Sequence, residues 1–272
     1  MSQDATMADS QSTAWNAPES SPRQPASSWS RILAQGRYET ISMLKNGEQL
    51  MLLILFPLMA LFGLAFTGFL DTWAEHFGGS RVDVAMPGVL ALCAMSTALS
   101  GQGIATGFDR RYGVLRFLST TPLGRGGLIA GKGVAVLSVV VIQYVVMGVV
   151  GFALGWNPSV LGFLLSLPTL IVGAAAFTAI GLLVAGVVRA EATLAVVNTV
   201  WVVLATVGGS LIPAHQFPGA ASWLIELLPS GALGAALRSD MLNHQFAWWP
   251  HLVLVMWILV AGLAAKRWFK WS

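Results

Sequence analysis

The sequence predicts an all-α integral membrane protein with six transmembrane helices. Two observations carry that expectation. Only 10% of the 272 residues are charged, against 56% hydrophobic. Soluble domains carry about 25% charged residues, so this chain cannot cover a water-facing surface of its own size. Secondly, apolar runs of the length that crosses a bilayer, about 20 residues, recur along the chain between short polar segments. The formal charge of +3 resides in Lys and Arg beside the apolar runs. That pattern reads as membrane topology and not as a nucleic-acid interface.

Residues 1–28 are rich in Ser, Ala, Gln and Pro without apolar periodicity, and are expected to form a disordered cytoplasmic tail. They lack the basic start and apolar core of a secretory signal. Residues 29–272 are expected to form one membrane domain. From Trp29 to Glu48, apolar residues at spacings near three and four alternate with Arg31, Arg37 and Lys45. This predicts an amphipathic helix lying in the interface, interrupted or ended near Gly36.

The first span is expected over Leu50–Leu70, bent at Pro57, and a solvated loop over Asp71–Asp83. The second span covers Val84–Thr106, where Gly103 and Gly107 permit close helix approach. The loop from Gly107 to Gly133 holds five of the fifteen Lys and Arg residues. The third span, Val134–Trp156, has Gly151 and Gly155 at GxxxG spacing. The fourth runs from Val160 to Val188 and the fifth from Ala192 to Ile212. Between Pro213 and Trp249 lie two half-apolar pieces separated by Pro229, each too short to cross. Two short helices on or in the outer leaflet are expected there. The sixth span, Trp249–Ala265, is stopped by Lys266, Arg267 and Lys270.

Six spans put both termini on one side. With those termini in the cytoplasm, thirteen Lys and Arg residues lie inside and two, Arg81 and Arg238, outside. The positive-inside rule therefore favours a plasma-membrane protein with cytoplasmic N- and C-termini.

Membrane enzymes and ion-coupled carriers keep ionisable groups in their spans, and the six apolar runs contain essentially none. The sequence has no HExxH, no intramembrane carboxylate pair and no metal-ligand spacing, and its single cysteine, Cys93, lies in an apolar run. No enzyme activity, cofactor or metal is expected. The run from Gly126 to Gly133 matches GxxxxGK but ends in Gly133 where a phosphate-binding loop needs Ser or Thr, and no strand precedes it. A transporter built this way draws its energy from elsewhere. Candidate pathway residues are the uncharged polar and aromatic groups of the spans: Ser100, Gln143, Asn198, Trp201 and Thr206, each of which could equally bond a neighbouring helix.

The stretch from Phe108 to Leu137 runs through Asp109, Arg110, Arg111 and Gly113, a short apolar segment, Thr121-Pro122-Leu123, and then Gly131-Lys132 opening the next span. It resembles the signature of the type-2 ABC exporter permeases. The segment from Ile212 to Leu242 resembles that family's extracellular re-entrant helical pair before the last span. The likeness covers about residues 29–270; the acidic part of the basic run is reduced here to Asp109. It implies a separate ATPase subunit, docked on a cytoplasmic coupling helix between the second and third spans. It also implies a pathway formed by two permease copies or two related permeases. The coupling residues would be Arg110, Arg111, Tyr112, Leu115, Arg116 and Leu118, with Tyr112, Leu115 and Leu118 at spacings of three and so expected on one face. The expected substrate is a lipophilic drug-like molecule or a lipid, exported from the cytoplasm or inner leaflet. A glycolipid or polysaccharide exporter and a non-transporting membrane assembly factor remain as alternatives.

Overall fold

The computed structural model describes residues 26–77 and 79–270. Every regular element among them is helical. The tail expected over residues 1–28 lies outside them up to residue 25.

Helix α1 (Ser28–Lys45) opens with Ser27 as N-cap, its hydroxyl accepting from the Ser30 amide. It is continuous through Gly36, where an interruption was expected. Gly36 is instead a contact point: a Cβ there would lie 2.5 Å from Val134 Cγ1. The first apolar run is built from α2 (Gly47–Leu50), a π-helical turn (Met51–Leu55) and α3 (Phe56–Phe66). It breaks at Thr67 and turns by 70° into α4 (Asp71–Phe77). The expected solvated loop is therefore mostly helix, tied down by a bidentate ion pair between Arg81 and Asp71.

Helix α5 (Arg81–Met95) starts at a capping box in which the Ser80 hydroxyl and the Asp83 carboxylate bond each other's backbone amides. It continues through a second π-helical turn (Ser96–Gly101) into α6 (Gln102–Arg111). The result is one helix of 31 residues, almost wholly buried, and the axis of the fold. The short α7 (Val114–Ser119) precedes α8 (Gly124–Ala153). The third long helix thus begins ten residues before the expected span, because Gly124 to Gly133 continue it. Gly155 lies beyond its end at φ +92°, so the Gly151–Gly155 spacing forms no helix face.

Helix α9 (Val160–Val187) packs its small residues on several neighbours; Gly181 lets the carbonyls of Ala98 and Leu99 approach within 3.0 Å of where a Cβ would stand. Gly103 and Gly107 are likewise close to Gly181 and Thr193, the close approach expected of them. Helix α10 (Ala190–Thr206) is shorter than the expected fifth span. The helices α11 (Ala220–Leu227) and α12 (Pro229–Leu242) meet at 87°, with Pro229 opening α12 where its missing N–H is harmless. Helix α13 (Trp248–Trp268) closes the chain. Four helices are individually long and apolar enough to cross a membrane, and six spans result if each bent pair counts as one.

Candidate functional site

The basic loop is shorter and more ordered than the charge run suggests. Its backbone leaves α6 at Tyr112 and reverses at Gly113, whose φ of +74° is a left-handed conformation that a side chain would strain. Then α7 forms. Its free carbonyls are met locally: the hydroxyls of Ser119, Thr120 and Thr121 donate to the carbonyls of Arg116, Phe117 and Leu118 at 2.8, 2.8 and 2.6 Å. Three successive hydroxyls followed by Pro122 explain why the helix stops there. Arg31, in the first turn of α1, donates to the Pro122 carbonyl.

The face that α7 turns outward differs from the expected one. Leu115 is 1% exposed and packs inward with Leu128 of α8, and Leu118 is half-buried. Tyr112 and Phe117 are 71% and 69% exposed, with Val114 and Arg116 exposed beside them. The reversal at Gly113 breaks the helical register, so a three-residue spacing across it does not align Tyr112 with Leu115. Two arginines also have internal tasks. Arg110 donates to the carbonyls of Ala185, at 2.6 Å, and Val188, at the C-terminal end of α9, where the last carbonyls lack intrahelical partners. Arg111 pairs with Glu191 in the first turn of α10 at 2.6 Å.

Behind α7 lies a cluster that sequence reasoning missed. Lys132 is 2% exposed, and its Nζ stands 2.8 Å from Asp109 Oδ2 and 3.1 Å from Glu39 Oε2. The amides of Gln35 and Gln102 donate to the other and the same Glu39 oxygens, at 2.9 and 3.4 Å. One ammonium thus joins α1, α6 and α8. The GxxxxGK run lies wholly within α8, its lysine held by carboxylates. No sequence signal pointed to the cluster, because Lys132 was counted with a solvated loop.

Two further ionisable groups, both in the segment between the fifth and sixth expected spans, are held in the interior. Asp240 of α12 accepts from the Thr169 hydroxyl at 2.6 Å, and that oxygen is 3.0 Å from His251 Nε2. Arg238 donates to the carbonyls of Gly209 and Ser210, both at 2.8 Å. Both residues come from α12, the second helix of the bent pair, whose half-apolar composition hid their burial.

The expected pathway residues separate into two groups. Gln143 is consumed inside the bundle: it accepts from Thr97 at 2.7 Å and donates to the Leu53 carbonyl at 2.5 Å. It therefore ties α8 to both π-helical turns, which lie against each other. Ser100, in the second of those turns, is also buried. Asn198 and Thr206 lie on the exposed face of α10, with Leu194 and Val202 at the same four-residue spacing. The Thr206 hydroxyl bonds back to the Val202 carbonyl at 2.8 Å. Trp201 meets Phe56 edge-on at 5.1 Å, joining this face to that of α3.

A comparison with known protein families matches residues 31–242 to the ABC-2 type transporter. A search of curated proteins returned no match. The match covers well over half of the chain and includes most of α1, the loop bearing α7 and the bent pair α11 and α12. The chain belongs to the ABC-2 type transporter family, as the multi-pass membrane permease component of an ABC transporter whose ATPase activity lies in a separate subunit.

Proposed function

We propose that this permease exports a lipophilic drug-like or lipid substrate from the cytoplasm or inner leaflet, with α7 as the docking element for the ATPase subunit. The observation that carries the docking assignment is the exposure of two large aromatic groups, Tyr112 at the end of α6 and Phe117 on α7, in a short segment whose flanks are pinned. Exposed aromatic anchors on a rigid support fit a partner groove. Arg116, exposed beside them, steers the approach; such rim charges act mainly on association rate. Leu115 and Leu118 hold α7 to the permease, and Arg110 and Arg111 fasten the adjoining helix ends. A push on α7 reaches α6 and α8 directly, and α1 through Lys132.

The pathway is formed where two copies meet across the exposed faces of α3 and α10. Leu194, Asn198, Val202 and Thr206 supply one side, joined through Trp201 to Phe56 of α3, along which Phe62 and Phe66 are also exposed. The near-absence of charge on this face suits a lipophilic substrate. The aromatic row supports a second reading, a glycolipid substrate. The thirteen-to-two charge asymmetry supports a cytoplasmic position for the basic loop and both termini.

Replacing Tyr112 and Phe117 by Ala tests the docking assignment. Aromatic hot spots are worth about 2 kcal/mol or more each, so the double variant should lose co-purification of the ATPase subunit and lose transport. Insertion and thermal stability should match the parent, because both side chains are exposed. Undiminished co-purification and transport would overturn the assignment. Absence of any ATPase partner for the parent itself would favour the assembly-factor alternative.

A further inference from the structure

Helices α8, α9 and α13 enclose a cleft of about 710 Å³. None of its lining residues comes from α3 or α10, so it is separate from the proposed pathway face. Its walls are apolar, with Ile129 and Val136 on α8, Ile171 and Leu182 on α9 and Ile258 on α13. Ile129 and Ile171 are themselves exposed, so the cleft opens sideways. One end is different. There Arg125 and Lys266 stand at the rim, and Lys266 is exposed with no ion-pair partner among the described residues. Thr106 of α6 also lines the cleft, its buried hydroxyl without a hydrogen-bond partner.

We infer that this cleft binds one anionic phospholipid, with an acyl chain between α8, α9 and α13 and the phosphate at Lys266 and Arg125. Dimensions support the assignment. Along α8 the lining runs from Arg125 to Leu137, about 18 Å at 1.5 Å per residue. Half of a hydrocarbon core is about 15 Å. The cleft is therefore as deep as one leaflet. Helix α13 independently marks the level of the headgroups. Trp248 and Trp268 at its ends are about 30 Å apart along the axis, the thickness of the whole hydrocarbon core. Such aromatic residues sit at the two interfaces, so Lys266 lies at the headgroup boundary of its own leaflet. A peptide in this cleft would leave backbone polar groups unmet against apolar walls. A soluble anion would gain nothing from them. Charge at the rim and length of the wall together select a lipid that is negative at one end.

The cleft also touches the coupling apparatus. Leu115 of α7 and Lys132 of the buried ion cluster are among its lining residues. A bound lipid fills space behind α7 and braces it from inside.

The test is native mass spectrometry of the full chain, delipidated in detergent and titrated with phosphatidylglycerol or phosphatidylcholine of identical acyl chains. The parent should prefer the anionic lipid by about thirtyfold, the order that two basic residues near a membrane surface supply. The variant Arg125→Gln, Lys266→Gln should lose that preference and retain the weaker binding of phosphatidylcholine. Gly262→Leu should weaken both lipids, because the space beyond Gly262 is open cleft with nothing within 4 Å of a Cβ. Gly133→Leu enters the same open space from α8 and gives a second reading of occupancy should the first variant fold poorly. Equal binding of the two lipids by the parent would overturn the proposal in favour of an unselective apolar pocket. So would an unchanged preference in the charge variant, or undiminished binding in both folded glycine variants. Binding of the headgroup glycerophosphoglycerol as tightly as the whole lipid would also overturn it, in favour of a phosphate site.

Discussion

Replacing Lys132 by Met removes the one cation from a cluster holding two carboxylates. At contacts of 2.8 and 3.1 Å, each attraction is gross about 5–6 kcal/mol at an effective dielectric constant of about 20. Desolvation of the three groups offsets most of this. The loss is set by what is left behind. Asp109 is about one-third exposed and can turn to water. Glu39 is 12% exposed and keeps only the Gln35 and Gln102 amides. Breaking such a pair by deleting one partner costs about 3–5 kcal/mol. For a chain of this size that is a fall in Tm on the order of 10 °C, read by the melting of the detergent-solubilised protein. The triple variant Lys132→Met, Glu39→Leu, Asp109→Asn removes the charges together and should recover most of the loss, as replacing whole buried ion pairs does. Transport should remain impaired in both, because α1, α6 and α8 are no longer joined behind α7. A melting point for Lys132→Met within about 2 °C of the parent, a shift worth about 1 kcal/mol or less, would refute the reasoning. A triple variant no more stable than the single one would also refute it.

Gln143→Leu should cost about 1 kcal/mol of stability, the scale of interhelical hydrogen bonds in membranes, and leave substrate preference unchanged; Asn198→Ala should do the reverse, and a matching pair of effects would dissolve the division between tie and pathway. Gly36→Leu should pry α1 from α8, costing about 1–3 kcal/mol, since its Cβ would meet Val134 Cγ1 at 2.5 Å. The measurement is the rate of protease cleavage within α1, which should rise, and an unchanged rate would show that the contact is dispensable. Single cysteines at Arg116 and Lys270 should react only after membrane permeabilisation, and those at Asp83 and His244 in intact cells; labelling at Arg116 from outside would invert the proposed orientation.

How much of this molecule could be read in advance depends on the range of the forces involved. That residues 50–66, 84–106, 134–153, 160–187 and 249–265 form apolar helices follows from their own side chains: no other part of the chain is needed to make them prefer hydrocarbon. The stop after α7 is equally local, because Ser119, Thr120 and Thr121 bond carbonyls three residues back. The two short helices around Pro229 follow from proline's fixed geometry and from segments too short to cross.

Burial of charge is not local. Lys132 finds Glu39 across 93 residues and Asp109 across 23, and only the docking of α1 along α8 through Gly36 and Gly131 brings Glu39 to it. The same holds for Asp240 and Thr169, which are 71 residues apart. Which side of α7 is exposed was also beyond the sequence, because the left-handed turn at Gly113 resets the helical phase that spacing arguments assume. Hydropathy and loop charge therefore determined that this chain crosses the membrane repeatedly and where its helices run. Tertiary packing alone decided which polar groups join those helices and which remain on the outside, because hydrogen bonds and ion pairs at about 3 Å require positions that distant segments must supply together.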